Sequence, residues 1–239
     1  MQNNGYLIVA SVNKAFYNSA KKLAHSIKDF DPSAKIALFT HMEWVENDTE
    51  AQDLFWHIDG SAPKHIRAKL WALSQTPFDT TLYMDCDTVV QHEDISNVFE
   101  LLGDKDILFT RNRPYNAKIT KLSETEEMIY HCGLFLYNNK PNTLKLMDAW
   151  YEEYLIQTDS EWDSTPYPAL VKPWDTFTMW NLLNNKDEGK NVAVGDFPSP
   201  DARWNFVNGY KYSELDGEDI VVYHYTMPSA EIKAAETLV

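Results

Sequence analysis

The sequence predicts an α/β protein in which a mostly parallel central sheet is flanked by helices within a single domain. Three observations carry this. The chain opens strand, helix, strand, which is the grammar of a parallel sheet. Its apolar runs are short, the length of strands buried on both faces, and they alternate with longer stretches of helical period. No internal repeat, Gly/Ser-rich linker or low-complexity tract divides the 239 residues, a length at which one domain buries roughly 70% of its unfolded surface.

Residues 6–12 are a compact apolar run that reads as the first strand, and Asn13 can cap the helix after it. Phe16, Ala20, Leu23, Ile27 and Phe30 recur at spacings of four and three, giving one apolar stripe that Asp31-Pro32 ends. Residues 35–40 form the second strand. The acidic stretch 42–53 has little pattern and reads as loop with a short helix, before a third strand at 54–58 that ends on Asp59-Gly60. Residues 63–73 read as a helix with Ile66, Leu70 and Leu73 on its apolar side and Arg67 and Lys69 near its start or middle. Thr76-Pro77 ends it, and residues 81–84 supply a buried strand.

A short amphipathic helix is expected at 95–102 and another strand at 106–110. The polar stretch 111–127 is long for a loop inside one domain, and such loops commonly carry function or cover a site. A strand at 130–137 contains His131-Cys132-Gly133, and a helix at 143–155 carries Met147, Trp150, Tyr151 and Tyr154 on one side. Residues 162–174 are proline-rich loop. Asp175 can cap a helix bearing Phe177, Trp180 and Leu183, and a last strand lies at 220–225.

Thirty-six acidic against 21 basic residues leave a formal charge of -15, which works against non-specific attraction to nucleic acid or an anionic bilayer. Bulk nucleic acid is therefore not an expected partner. Cys86 and Cys132 are too few for a disulfide framework, so a reducing compartment is the simpler reading. The first apolar run lacks a basic segment before it, and no stretch approaches the ~20 apolar residues of a membrane span. A cytoplasmic protein without a transmembrane segment is expected.

Asp85-Cys86-Asp87 follows the apolar residues 82–84 at once and precedes Thr88-Val89-Val90. Two carboxylates where a buried strand emerges can share one hard cation, and α/β sheets bind ligands outside the carboxyl ends of their strands. Taken alone the triplet is better explained locally, with Asp87 capping a turn and Asp85 pairing with a nearby Lys or Arg. No nucleophile elbow, phosphate-binding GxxxxGK[ST], GxGxxG or CxxC is present, and the Cys and His spacings match no zinc site.

Several segments together reverse that balance. TPFDTTLYMDCDTVV resembles the metal-binding stretch of GT-A fold, nucleotide-sugar-dependent glycosyltransferases, particularly glycosyltransferase family 8 and its relatives. GYLIVASVNKAFYNSAKKLAHSIKDFDPSAKIALFT resembles that family's first strand, helix and second strand, and HIRAKLWAL the helix before its motif strand. HCGLFLYNN is similar to its Asn-Ala-Gly segment with the following strand, and VVYHYTMP to the late strand whose histidine completes the metal shell. The resemblance runs from Gly5 to about Pro228.

It implies Mn²⁺ or Mg²⁺ held by Asp85, Asp87 and His224, with Asp85 also a candidate for the ribose; an imidazole ligand suits Mn²⁺ better. It implies a nucleoside-diphosphate sugar as donor, UDP ahead of GDP, a carbohydrate or other hydroxyl acceptor, and retention of anomeric configuration. Residues 1–110 would form the nucleotide half and 111–239 the sugar and acceptor half. Ala10, Ser11 and Val12 would meet base and ribose, Asp59 a uracil-type edge, and Cys86 the nucleotide. Arg67 and Lys69 would face the diphosphate; residues two apart on a helix diverge, and Arg67 is preferred. His131 and Gly133 would lie at the sugar, and Asp175 at the donor sugar or, in an inverting relative, at the acceptor hydroxyl.

The chain departs from the family pattern in three places. His131-Cys132-Gly133 stands for Asn-Ala-Gly, Thr176 for an amide side chain, and Met227-Pro228-Ser229 for the segment leading to Lys-Pro-Trp, leaving Lys233 or Lys172 near the phosphates. Two other readings stay open. A nucleotidyltransferase acting on a sugar phosphate would need a Gly-rich loop with a basic residue after the first strand, where Lys14 alone stands. A non-catalytic carbohydrate-binding protein on a transferase fold is the third. The 8 Trp, 13 Tyr and 11 Phe, among them Trp162, Trp174, Trp204 and Tyr210, would suit a cleft that stacks sugar rings, although core packing accounts for most aromatics.

Overall fold

The computed structural model describes residues 3–227 with the exception of residue 118. Strands and helices alternate through β1 (Asn4–Val9), α1 (Lys14–Phe30), β2 (Ile36–Phe39), α2 (Met42–Val45), α3 (Thr49–Leu54), β3 (His57–Asp59), α4 (Ala68–Leu73) and β4 (Thr80–Met84). Then come β5 (Thr88–Val90), a 3-10 helix (Glu93–Leu102), β6 (Ile107–Arg111), β7 (Tyr130–Asn138), α5 (Pro141–Thr158) and α6 (Asp175–Asn185). The short strands β8 (Val194–Asp196), β9 (Phe206–Val207) and β10 (Val222–His224) close the described chain.

Seven strands form one sheet in the order β3-β2-β1-β4-β7-β6-β8. Neighbours among β3, β2, β1 and β4 pair in parallel, as do β6 and β8, while β7 runs antiparallel to both β4 and β6. Along β1, alternate residues Tyr6 and Ile8 pack with Ala20, Leu23 and Ile27 of α1 on one face. Leu7 and Val9 pack with Leu70 of α4 and with Met147 and Trp150 of α5 on the other. A strand covered on both faces needs apolar side chains at every position, which is why this run shows no polar alternation. Each fully buried side chain of this kind contributes about 1.5–3 kcal/mol.

The Asn13 carboxamide accepts from Ala15 N–H and starts α1 where the sequence places it. Other boundaries move, each for a local reason. Leu54, expected in the third strand, ends α3 instead, because the Asp48 carboxylate accepts from Ala51 N–H and caps a helix the acidic stretch had hidden. The helix expected over 63–73 begins at Ala68, since the His65 ring takes the Arg67 N–H and competes with helical pairing. The helix expected at 95–102 is 3-10 in form and starts at Glu93. Trp174, and not Asp175, is the cap of α6; Asp175 is its first helical residue.

A second sheet, β5-β10-β9, was not anticipated as a unit. β10 pairs antiparallel with β5 and parallel with β9, setting His224 opposite Thr88 and Val207. The segment 85–87 is therefore the bridge from the large sheet to the small one. This geometry carries His224 across the sequence to the two aspartates. Among the described residues no helix is long and apolar enough to cross a membrane.

Candidate functional site

β1 and β4 end side by side, with Ile8 opposite Met84, and Asp85 leaves the sheet at that edge. Asp85 N–H donates to Gly133 O at 2.8 Å, pinning the turn to β7. Two residues on, Tyr225 N–H donates to Asp87 O at 3.1 Å and Met227 N–H to Asp87 Oδ2 at 2.9 Å. Asp87 Oδ1 lies 3.2 Å from His224 Nε2. Asp85, Asp87 and His224 each bring one ligand atom within 4.8 Å of the others. Burial opposes ionisation of Asp87, but His224 and the Met227 N–H outweigh it and hold this carboxyl well below the usual range. His224 answers in the opposite direction: burial lowers it, Asp87 and Asp85 raise it, and the net displacement is upward.

One amide sets the ring states of both histidines. Gly133 N–H donates to His131 Nδ1 at 3.1 Å, so that nitrogen is an unprotonated acceptor and Nε2 carries the hydrogen. Asn205 Nδ2 donates to the same Nδ1 at 3.0 Å and to Thr110 Oγ1 at 3.0 Å, which fixes the orientation of the amide. Asn205 Oδ1 must then accept from His224 Nδ1, also at 3.0 Å. His224 consequently turns Nε2 toward Asp87 and Asp85, the arrangement a metal-ligating histidine requires. Burial, with His224 and Lys69 nearby, holds His131 down to about 3, so it is a neutral donor.

Gly133 makes this crowding possible. A Cβ at Gly133 would stand 2.8 Å from Asp85 Oδ2, 2.8 Å from His131 Cε1 and 2.8 Å from His224 Cε1. The missing side chain thus serves the approach of the three site groups to one another.

Behind the carboxylates lies a cavity of about 240 Å³ whose lining includes Ser11, Arg67, Lys69, Asp85, Asp87 and Met227. Lys69 is buried, with Nζ 3.0 Å from Cys132 O, 3.2 Å from Asp85 Oδ1 and 2.9 Å from Asp175 Oδ2. Tyr83 O–H donates to Asp85 Oδ1 at 2.6 Å. Arg67 Nε stands 3.8 Å from Asp175 Oδ1. Both cations therefore meet at Asp175, because Arg67 precedes α4 and is not bound by helical divergence. The expectation that only one of the two faces the site is corrected: both line the cavity, Lys69 buried at the carboxylates and Arg67 one-third exposed. Burial works against the Asp175 carboxylate, but Arg67 and Lys69 hold it well below the ordinary range. Asp175 Oδ2 is thus tied to the Lys69 ammonium, and Arg67 approaches the other carboxylate oxygen.

The remaining candidates divide. Ser11 and Cys86 line the cavity, while Ala10, Val12 and Asp59 are outside its lining. Ala10 N–H is spent on Phe39 O, and Ser11 O–H donates to Pro63 O at 2.5 Å. Val12 has φ of 70°, rare for a β-branched residue, and its N–H is held by His41 Nε2 at 3.1 Å. The Asp59 carboxylate accepts from Ser61 N–H and Oγ–H and braces its own turn. Lys14 is exposed, and neither it nor Lys172 lines the cavity. Pro228, Ser229 and Lys233 lie outside the described residues. Sequence reasoning missed Asn205 and His41, whose roles rest on partners 19 or more residues away.

The sequence matches no protein-family model and no curated protein. Among solved structures, the fold matches the glycosyltransferase GlyE of Streptococcus pneumoniae TIGR4 with a TM-score of 0.61 at 16% identity, over 98% of this chain and 60% of that one. It matches the galactosyltransferase LgtC, solved with donor and acceptor sugar analogues, with a TM-score of 0.54 at 17% identity, over 98% and 95% of the two chains. Mouse xyloside xylosyltransferase 1 gives 0.51 at 13% identity, over 94% and 100%. The chain thus spans about 60% of the length of GlyE and nearly all of the other two. Taken with the strand order and the position of the aspartates at the sheet edge, these matches establish that this chain has the GT-A glycosyltransferase fold.

Proposed function

We propose that the protein is a metal-dependent glycosyltransferase that moves a sugar from a nucleoside-diphosphate sugar, UDP ahead of GDP, to a hydroxyl acceptor with retention of configuration. The observation that carries this reading is the convergence of Asp85, Asp87 and an orientation-locked His224 within 4.8 Å, with both carboxylates at the carboxyl ends of parallel strands and on the wall of a cavity. Residues 1–110 are assigned the nucleotide and 111–239 the sugar and acceptor.

The donor set fits Mn²⁺ or Mg²⁺: two carboxylates and one imidazole nitrogen leave positions open for phosphate oxygens, and the imidazole favours Mn²⁺. Bound there, the cation would neutralise charge that grows on the diphosphate as the glycosyl bond breaks. Lys69 and Arg67, fixed by Asp175, add preorganised positive charge on the same side. Asp175, the shared partner of both cations, is assigned to the donor sugar, as the resemblance implies. In the transfer, the bond from the anomeric carbon to the diphosphate oxygen breaks and one to the acceptor oxygen forms. The acceptor proton passes to the departing diphosphate on the same face. His131 supports this route, since its Nδ1 is occupied and it cannot take that proton.

Calorimetry of UDP with and without Mn²⁺ tests the reading. Binding is expected with Mn²⁺ and is expected to weaken about a hundredfold or more in Asp87→Ala. Absence of binding by UDP and GDP alike in the presence of Mn²⁺ would end the proposal. Hydrolysis of a nucleotide-sugar panel then identifies the donor.

A further inference from the structure

Resting on the transferase reading above, we propose that the acceptor is a neutral pyranoside, bound in a second cleft against the ring of Trp174 with one hydroxyl accepting from His131 Nε2–H. This cleft, of about 320 Å³, is lined by Arg113, Asn116, His131, Trp174, Thr176 and Tyr210 among others. It is separate from the nucleotide cavity, and one short segment, residues 173–176, contributes to both. Pro173 lines the nucleotide cavity, whereas Trp174 and Thr176 line the second cleft. His131, assigned to the donor sugar, also lines this cleft.

The chemistry of the walls selects the ligand class. Arg113 brings a charge to the lining, but its guanidinium is paired with Asp201 at 2.8 Å and with Glu214. A phosphate or carboxylate on the ligand would have to break those pairs. The Asn112 amide is likewise spent, donating to Met128 O and Tyr130 O. Tyr210 is buried with the Arg113 guanidinium over its ring and its O–H on Arg111 O. What remains are the ring of Trp174, the Asn116 amide and His131 Nε2–H. A flat apolar face with a few directional polar groups suits a sugar ring, which has an apolar face and an equatorial rim of hydroxyls. Trp162 and Trp204 are withdrawn from this role: Trp162 stacks on Tyr167 and Trp204 packs on Phe197.

Saturation-transfer NMR on the full chain with Mn²⁺ and UDP tests the assignment, using methyl glucoside, galactoside, xyloside and N-acetylglucosaminide with a serine peptide alongside. At least one pyranoside is expected to show ring-proton transfer. Affinity should fall about tenfold in Trp174→Leu, which removes the stacking face. It should vanish in Ala117→Trp, a substitution at a partly exposed cleft residue that fills the space. Undiminished pyranoside signals in Ala117→Trp overturn the proposal, as does binding of the peptide in place of every sugar. Absence of pyranoside binding while Mn²⁺ and UDP still bind overturns it and leaves the nucleotide-sugar reading standing. Failure of Mn²⁺ and UDP to bind wild type refutes that underlying reading instead.

Discussion

Gly133→Ala puts the site geometry to its sharpest test. The added methyl would stand 2.8 Å from each of Asp85 Oδ2, His131 Cε1 and His224 Cε1, about 0.6 Å inside the 3.4 Å at which ordinary contact begins. The strand cannot simply retreat. Gly133 O accepts from Asp85 N–H at 2.8 Å, Gly133 N–H donates to His131 Nδ1, and the next residue, Leu134, is in register with Met84. The three neighbours are equally constrained, since Asn205 holds both rings and Tyr83 and Lys69 hold Asp85. The strain must therefore spread Asp85 and His224 apart.

Overpacking of this kind costs about 1–3 kcal/mol of stability. Metal ligation tolerates displacements of about 0.2 Å, so a shift several times larger should cost far more in function than in folding. The expected result is a Mn²⁺-dependent UDP affinity lowered by about a hundredfold or more, with an unfolding transition that remains cooperative. Titration calorimetry and urea unfolding on the same preparation measure the two quantities. A variant that binds Mn²⁺ and UDP within about threefold of wild type would refute the crowding argument and the ligand set drawn from it.

Three further outcomes follow from the same contacts. Asn205→Leu removes the amide that orders both histidines and should lower Mn²⁺ affinity by about 10–100-fold; histidine ¹⁵N shifts should show His224 losing its single tautomer. Lys69→Met leaves Asp85 and Asp175 without their buried cation and should cost about 3–5 kcal/mol in urea unfolding, with part recovered in Lys69→Met/Asp175→Leu. Lys21, with help from Tyr17 and Ala51, holds Asp48 at about 2 against the pull of burial. That depressed value stabilises the fold above about pH 4 and the contribution is lost as pH falls toward 2. The stability gap between wild type and Asp48→Asn should therefore close between pH 4 and pH 2, as followed by circular dichroism.

What the sequence reveals and what it hides divide along a physical line. The stripe from Phe16 to Ile27 repeats at helical spacing, and the residues of β1 are apolar without interruption, so both elements are legible from periodicity. Asp85 and Asp87 are legible only in company: alone the pair is better explained locally, and the segments around it carry the resemblance. His224 could be tied to them through resemblance, since the pairing of β10 with β5 joins residues far apart in sequence. The start of α4 was hidden because it depends on a bond from Arg67 N–H to the His65 ring, and the expected divergence of Arg67 and Lys69 fails with it. Asn205 was hidden for a similar reason: an Asn between Trp204 and Phe206 has no periodic signature, and its meaning lies entirely in its partners.

Those partners explain how the chain accommodates His131 where the resemblance leads one to expect an asparagine. With hydrogen on Nδ1, His131 would oppose the N–H of Gly133 and the NH₂ of Asn205, leaving donors facing donors in a buried site at about 1–3 kcal/mol each. The ring is thereby confined to the Nε2–H form. Asn205 can give its NH₂ to His131 only by giving its oxygen to His224, and that in turn frees His224 Nε2 to face Asp87. The state of the residue beside the second cleft and the state of the candidate metal ligand are thus set by one rotation of one amide. A substitution at either histidine that required the opposite rotation would disturb both sides together, even though the two rings do not hydrogen-bond to each other.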